Sequence, residues 1–144
     1  MIRHGDAPQR IEEYVGKVKR RLSDAMFDHR KLKVYERSRV IARQIHALLK
    51  AAPKRRLDLI DQLNRAVASL VLNIAEGAGE YRPREKARFY RMARRSAHEA
   101  SSVLDLLVDV EILLPSQTLA VQQDIMETVA MLVRLAQNLD KKAI

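Results

Sequence analysis

The chain has 144 residues, enough for one domain to bury a hydrophobic core without disulfides or a structural metal. It contains no cysteine, which excludes disulfides, thiolate metal sites and a cysteine nucleophile, and no run approaches the roughly 18 apolar residues of a membrane span. Lys and Arg number 27 against 18 Asp and Glu, so the formal charge is +9, a surplus that attracts polyanions.

The first segment in chain order, residues 1–26, is predicted to be an extension that is partly helical or disordered, because Gly5, Pro8 and Gly16 interrupt its helical spacing. The rest of the chain has few glycines, prolines and phenylalanines, a composition that favours helix over sheet. We therefore expect two parts: the extension, residues 1–26, and one cytoplasmic helical domain, residues 27–144.

Four amphipathic helices are predicted in the domain, because apolar residues recur at steps of three and four between glycine and proline breaks. They are expected over residues 28–52, 55–76 and 83–114, and from residue 116 onward. Gly77 is expected to stop the second helix, and Ser116 to cap the fourth. Short connections between long helices favour antiparallel neighbours. The predicted fold is therefore all-α, an antiparallel up-down-up-down four-helix bundle.

Motifs for catalysis or cofactor binding are missing from the sequence. A di-iron bundle needs Glu-x-x-His on two helices, and that motif is absent, as are a Walker loop and Gly-x-Ser-x-Gly. Gly77 and Gly79 follow a helix and are interpreted as its stop rather than as a phosphate loop. The histidines lack metal-ligand spacing: His4, His29, His46 and His98. We predict no enzyme activity, no cofactor and no metal.

Positive charge is concentrated at the start of the third helix. Residues 82–95 carry seven Lys and Arg against the single Glu85. At about 100° per residue, four of the arginines fall on one outward side of the helix: Arg84, Arg88, Arg91 and Arg95. We call these four residues the arginine ridge. The polar side of the first helix adds Arg39, Arg43 and Lys50.

Three interpretations of the arginine ridge remain open. Arginine heads suit phosphates, and a cluster without matching acids repels itself unless an anionic partner or acidic neighbour offsets it. The ridge is therefore predicted to bind nucleic acid, to form a subunit interface bridged by carboxylates, or to serve solubility alone. Tyr81 and Tyr90 are expected to flank it, which is too little aromatic surface for a single-strand stacking platform. Binding should then be mostly to the nucleic-acid backbone.

A second group of residues is polar and lies where the second and third helices are expected to face each other. Its members are Ser69, Asn73 and Glu76 on one helix and Ser96 and Glu99 on the other. They are predicted to form a structural hydrogen-bonded network. An active-site interpretation would make Glu76 and Glu99 a carboxylate pair, but no nucleophile or metal accompanies them.

Short motifs in the second and third helices resemble the four helix bundle protein family, also called 23S rRNA intervening-sequence proteins. The residue pattern of the family is matched over about residues 27–114, whereas the fourth helix resembles the family only in its general character. Val71 departs from the family, because many members have proline two residues before the asparagine. The matching segments are Asp61-Gln62-Leu63-Asn-Arg65-Ala66, Asn73-Ile-Ala-Glu76-Gly77, Arg88-Phe89-Tyr-Arg-Met-Ala93 and Ser96-Ala-His-Glu99.

The resemblance implies a homo-oligomer, a ring of five bundles, and two functional settings. One is an open reading frame within the intervening sequences of bacterial 23S rRNA genes. The other is an accessory subunit of a retroelement reverse transcriptase, which binds nucleic acid and the polymerase through basic surfaces. The resemblance implies no catalytic residue.

The leading hypothesis is a non-enzymatic, oligomeric, basic scaffold that binds RNA or DNA phosphates through the arginine ridge, helped by Arg39, Arg43 and Lys50. The alternative is a protein-protein adaptor whose ridge meets acidic groups of a subunit or partner, without nucleic acid. Neither hypothesis involves a membrane.

Overall fold

The structure is a computed structural model that describes residues 7–21 and 28–143. The described residues form five α-helices and a short 3₁₀ helix, Asp28–Lys31, and contain no strand. This confirms the all-α prediction. The α-helices are α1, Ala7–Arg21; α2, Lys33–Ala51; α3, Leu57–Gly79; α4, Pro83–Asp109; and α5, Pro115–Lys142.

One hydrophobic core joins α2, α3, α4 and α5. Its fully buried side chains come from all four helices and include Ile41, Leu70, Leu104 and Leu132. The helix α3 packs against α2 and α4, and α5 also packs against α2 and α4. Pairs between α3 and α4 run in reverse order, since Gln62 bonds Glu99 whereas Ser69 bonds Ser96. The periodic apolar residues that predicted the helices thus supply the core.

The helix α1 falls within the predicted extension, which was expected to be partly helical. Pro8 occupies its first turn, where the missing N–H of proline costs nothing. Gly16 lies within the helix instead of interrupting it. The other residues of the extension, 1–6 and 22–26, lie outside the described residues.

The prediction that Gly77 stops the second helix is wrong. The helix α3 continues through Gly77 to Gly79, and neither glycine has a positive φ. Gly77 is buried, and a Cβ on it would meet the Tyr90 ring of α4 at 2.7 Å. Its role is therefore to let two helices approach closely, which only a residue without a side chain allows at this distance.

The third predicted helix ends five residues early, because α4 stops at Asp109. Glu111 adopts a left-handed conformation with φ 62°. The amides of Glu111 and Ile112 then donate to the carbonyls of Val108 and Leu107, at 3.0 and 2.9 Å. This is a Schellman motif, which satisfies the last carbonyls of a helix. It turns the chain so that Ile112 and Leu113 enter the core.

The prediction that Ser116 caps the fourth helix is also wrong. The helix α5 begins at Pro115, so Leu114 is the N-cap residue and Ser116 lies in the first turn. The exposed amide of Leu114 donates to Oε1 of Gln117 at 2.8 Å. Proline favours the first position of a helix, and here it starts α5 two residues earlier than a cap at Ser116 would.

Candidate nucleic-acid interface

The helix α4 has a buried face and an arginine face. Its buried face is built largely of small residues, because alanines allow α3 and α5 to approach closely: Ala87, Ala93, Ala97 and Ala100. The arginine ridge lies on the opposite side of the helix, as its spacing predicts. Arg84, Arg88 and Arg95 are exposed and Arg91 is half-buried.

Two members of the ridge are paired with carboxylates. Arg88 donates to Glu85 Oε2 from Nη2 at 3.1 Å, and its guanidinium lies 4.9 Å from the centre of the Phe89 ring. Arg91 makes an ion pair with Asp140 of α5. Phe89 is half-buried rather than deep in the core, and its ring supports the Arg88 head.

The other two members, Arg84 and Arg95, form no hydrogen bond or ion pair with any residue that the structure describes. Both side chains are exposed. They lie 11 residues apart, which corresponds to about 16 Å along the helix. The ends of the ridge are therefore the places where an external anion would find an unpaired guanidinium.

The basic residues of α2 form a separate surface. Arg39 and Arg43 share Glu36, at 3.8 and 3.2 Å, and all three are exposed. Lys50 lies farther along the same exposed side. Because α2 packs against α3 and α5 and its polar side points away from them, this surface does not adjoin the arginine ridge of α4.

The two tyrosines predicted to flank the ridge have different positions. Tyr81 is 97% exposed, whereas Tyr90 is 3% exposed and packs against Gly77. Burial raises the pKa of the Tyr90 phenol. The prediction that Tyr90 flanks the ridge is therefore wrong, and one exposed tyrosine remains there for stacking on a base.

The predicted polar network is present in part. The hydroxyls of Ser69 and Ser96 are 2.8 Å apart, and Asn73 Nδ2 donates to Ser69 Oγ at 3.0 Å. Glu99 accepts a bond from Gln62 Nε2 at 3.1 Å on the exposed side, separate from the serines. Glu76 is exposed and forms no hydrogen bond with the described residues. The two carboxylates do not form a joint site.

Lys86 is a basic residue whose role the sequence did not reveal. Its Nζ donates to the carbonyls of Gly77 and Ala78, at 2.9 and 2.8 Å, and so satisfies the end of α3. Burial is the main cause of its lowered pKa. Lys86 lies within the basic run 82–95, but on the side of α4 about 160° from Arg84. That angle is the one sequence signal that distinguishes Lys86 from the arginines of the ridge.

Other kinds of site have little support in the described part of the chain. It holds no group of three or more His, Asp or Glu that could bind a metal ion. Its helices also lack the combination of length and apolarity that crossing a bilayer requires. The arginine ridge is the strongest candidate for a functional surface.

Comparison with known proteins links the chain to one family. The family described as 23S rRNA-intervening sequence protein matches residues 30–134, which include α2, α3, α4 and most of α5. No curated protein matches the chain. The matched region contains the whole arginine ridge and the polar network, and it leaves out α1.

Proposed function

The chain belongs to the 23S rRNA-intervening sequence protein family, and on that basis we propose that it is a non-enzymatic, basic scaffold that binds nucleic acid through the arginine ridge. The observation that carries the proposal is the unpaired state of Arg84 and Arg95 among the described residues, at the two ends of an outward ridge. Two unpaired guanidinium groups on one side of a helix, about 16 Å apart along its axis, attract a chain of phosphates.

The chemistry of the ridge favours contact with the phosphate backbone of RNA or DNA. Arginine presents planar, multi-donor heads that match phosphate oxygens. With one exposed tyrosine nearby, stacking on bases contributes little. Affinity should therefore depend on salt much more than on base sequence.

The finer architecture that we propose for the helical domain is an antiparallel up-down-up-down four-helix bundle of α2 to α5. The reverse order of the pairs between α3 and α4 supports it, and so does the order between α4 and α5. There Arg91 pairs with Asp140 near the end of α5, whereas Ser101 bonds Gln122 nearer its start. In this arrangement α2 and α4 lie diagonally, so the ridge and the basic side of α2 face opposite directions.

We also propose that the chain assembles with copies of itself. Several large apolar side chains are exposed on a single chain, among them Leu72, Leu119 and Met126, and surfaces of this kind commonly mark contact sites. Copies in a ring would repeat the ridge, and several weak phosphate contacts on one nucleic acid would then add up to tight binding.

The proposal is tested with a variant that reverses the two unpaired charges, Arg84→Glu with Arg95→Glu. Binding of mixed RNA and DNA fragments should be lost while the circular dichroism spectrum stays helical. The matched control is Arg55→Glu with Arg65→Glu, which makes the same charge change at exposed positions outside the ridge and should retain most of the affinity. Equal affinity of the two variants would contradict a role for the ridge.

A second candidate function is a protein-protein adaptor that does not bind nucleic acid. It is favoured by the ion pair between Arg91 and Asp140, because an acidic group of another protein could meet the ridge in the same manner. In that case the protein has no nucleic-acid affinity at physiological salt, and its complexes dissociate as salt rises. Light scattering at low and high ionic strength measures this directly.

A further inference from the structure

The helix α1 carries an apolar stripe that the other described residues of the chain leave exposed. Four side chains at helical spacing form it, and they are 63%, 70%, 42% and 36% exposed in the order Ile11, Tyr14, Val15 and Val18. The opposite side of the helix is polar and charged. An amphipathic helix of this kind normally buries its stripe against a partner.

A groove between α4 and α5 offers an apolar surface of similar extent. Its volume is about 430 Å³. The most exposed apolar side chains along it are Leu119 and Met126, which are 70% and 60% exposed. Its lining contains no Lys or Arg, and includes Leu119, Gln122, Ile125, Met126 and Val129 of α5 and His98 of α4.

The dimensions of the stripe and the groove agree. Ile11 and Val18 are seven residues apart on α1, and Leu119 and Met126 are seven residues apart on α5. Each pair therefore spans about 10 Å of helix, so the two sets of side chains can interdigitate along parallel or antiparallel axes.

Charge also favours this pairing over contact with the rest of the protein. The helix α1 holds five Lys and Arg against two Glu, so the basic surfaces of α2 and α4 repel it. The groove lining contains no Lys or Arg, and Asp105 borders the groove, accepting a hydrogen bond from Gln122 Nε2 at 3.2 Å. Asp105 lies ten residues beyond Arg95 along α4, so a basic amphipathic helix meets a carboxylate at the end of the groove that is away from the arginine ridge.

We infer that α1 of one copy lays its apolar stripe in the α4/α5 groove of a second copy. Residues 7–21 and 28–143 of a single chain leave both the stripe and the groove uncovered, which points to another copy as the source of the helix. The contact is a helix-in-groove interaction. The inference rests on the proposed self-association of the chain and is independent of nucleic-acid binding.

Cross-linking tests the contact, because the natural chain has no cysteine and introduced thiols are the only ones present. One copy carries Val18→Cys, and a second copy, enlarged by a fusion tag, carries Met126→Cys. After mixing and mild oxidation, a disulfide-linked species of the summed mass should form. The matched control replaces Val18→Cys with Glu13→Cys on the charged side of α1, and should give little of this species.

A chain that carries both Val18→Cys and Met126→Cys tests the alternative that the groove holds the α1 helix of the same chain. A disulfide that forms within a single chain at high dilution, with no product between mixed copies, would overturn the inference and assign the groove to the chain's own α1.

Light scattering on an Ile11→Asp, Val18→Asp variant separates this inference from the proposed self-association. The expected result is a lower assembly mass than that of the unaltered protein, with an unchanged helical spectrum, because the substituted side chains are exposed in the single chain. A monomeric unaltered protein would contradict self-association itself. An assembly whose mass is unaffected by the two aspartates would contradict only the role of α1.

Discussion

The Cβ position of Gly77 in α3 lies 2.7 Å from Cε1 of Tyr90 in α4, closer than any side-chain carbon can be accommodated without movement. Gly77→Ala therefore forces the Tyr90 ring out of its position in the core. Overpacking of this kind costs about 1–3 kcal/mol of unfolding free energy. Thermal or urea denaturation of the variant measures the loss.

Gly79→Ala is the matched control, because the Cβ it introduces meets no atom within 4 Å and Gly79 does not have a positive φ. Replacing glycine with alanine in a helix is stabilising by up to about 1 kcal/mol when nothing obstructs the methyl group. The two substitutions should thus have opposite signs. A Gly77→Ala variant as stable as Gly79→Ala would contradict the close approach.

Tyr90 gives the protein a dependence on alkaline pH. Burial raises the pKa of its phenol, so the folded state favours the neutral form. The stability that this contributes is complete below the ordinary tyrosine pKa of about 10 and is lost as pH rises through the raised value. Tyr90→Phe should remove that dependence, so the variant should gain stability relative to the natural protein above about pH 10.

Ultraviolet absorbance of tyrosinate checks the same group independently. A pH titration of the folded protein should contain one component above the usual phenol range, and Tyr90→Phe should abolish it. If the late component persists in the variant, it belongs to another tyrosine and the assignment to Tyr90 is incorrect.

The hydroxyls of Ser69 and Ser96 connect α3 to α4 at 2.8 Å, and a double-mutant cycle measures what this bond contributes. Each Ser→Ala change leaves the other partner less well satisfied and should cost about 1 kcal/mol. The double variant should lose less unfolding free energy than the two single variants together, because the two hydroxyls are coupled.

The control is Glu76→Ala, which removes no bond to a described residue and should change the unfolding free energy by less than about 0.5 kcal/mol. Strict additivity of the two serine changes would show that the bond contributes nothing.

The end of α4 carries strain that a single substitution relieves. Glu111 has φ 62°, which costs a residue with a side chain more than glycine. Glu111→Gly should raise stability by about 0.5–1 kcal/mol and leave the Schellman hydrogen bonds intact. Arg56, with φ 49°, is the comparison, because Arg56→Gly also removes the ion pair with Asp58 and should gain less. A loss of stability in Glu111→Gly would contradict this account.

The sequence predicted the helices well and their ends poorly. Apolar spacing located α2 to α5, because that spacing is what the core requires. The end of α4 could not be foreseen, since a glutamate takes the left-handed position that glycine usually marks. The prediction for Gly77 failed because this glycine allows contact with a second helix and does not end its own. Contact between helices that are distant in sequence leaves no pattern in the residues around the glycine.

The candidate surface was predicted as a set of residues but not as a set of interactions. Helical geometry alone placed Arg84, Arg88, Arg91 and Arg95 on one side of α4. Their partners depend on tertiary structure, since the carboxylate that meets Arg91 lies 49 residues away. The buried position of Tyr90 likewise depends on the missing side chain of Gly77.

Asp140 forms an ion pair with Arg91, so its carboxylate competes with a bound phosphate for the same guanidinium. Asp140→Asn should therefore strengthen nucleic-acid binding in two ways, by removing a negative charge beside the ridge and by releasing one more arginine. One extra phosphate contact steepens the slope of log K against log salt by about 0.7–0.9, so the slope separates a new contact from a general charge effect.

The control is Asp61→Asn, which breaks the ion pair between Asp61 and Arg65 on α3 and makes the same change in net charge away from the ridge. Fluorescence anisotropy with a labelled RNA across a salt series measures both variants. Equal slopes for Asp140→Asn and Asp61→Asn would show that Arg91 does not contact the nucleic acid.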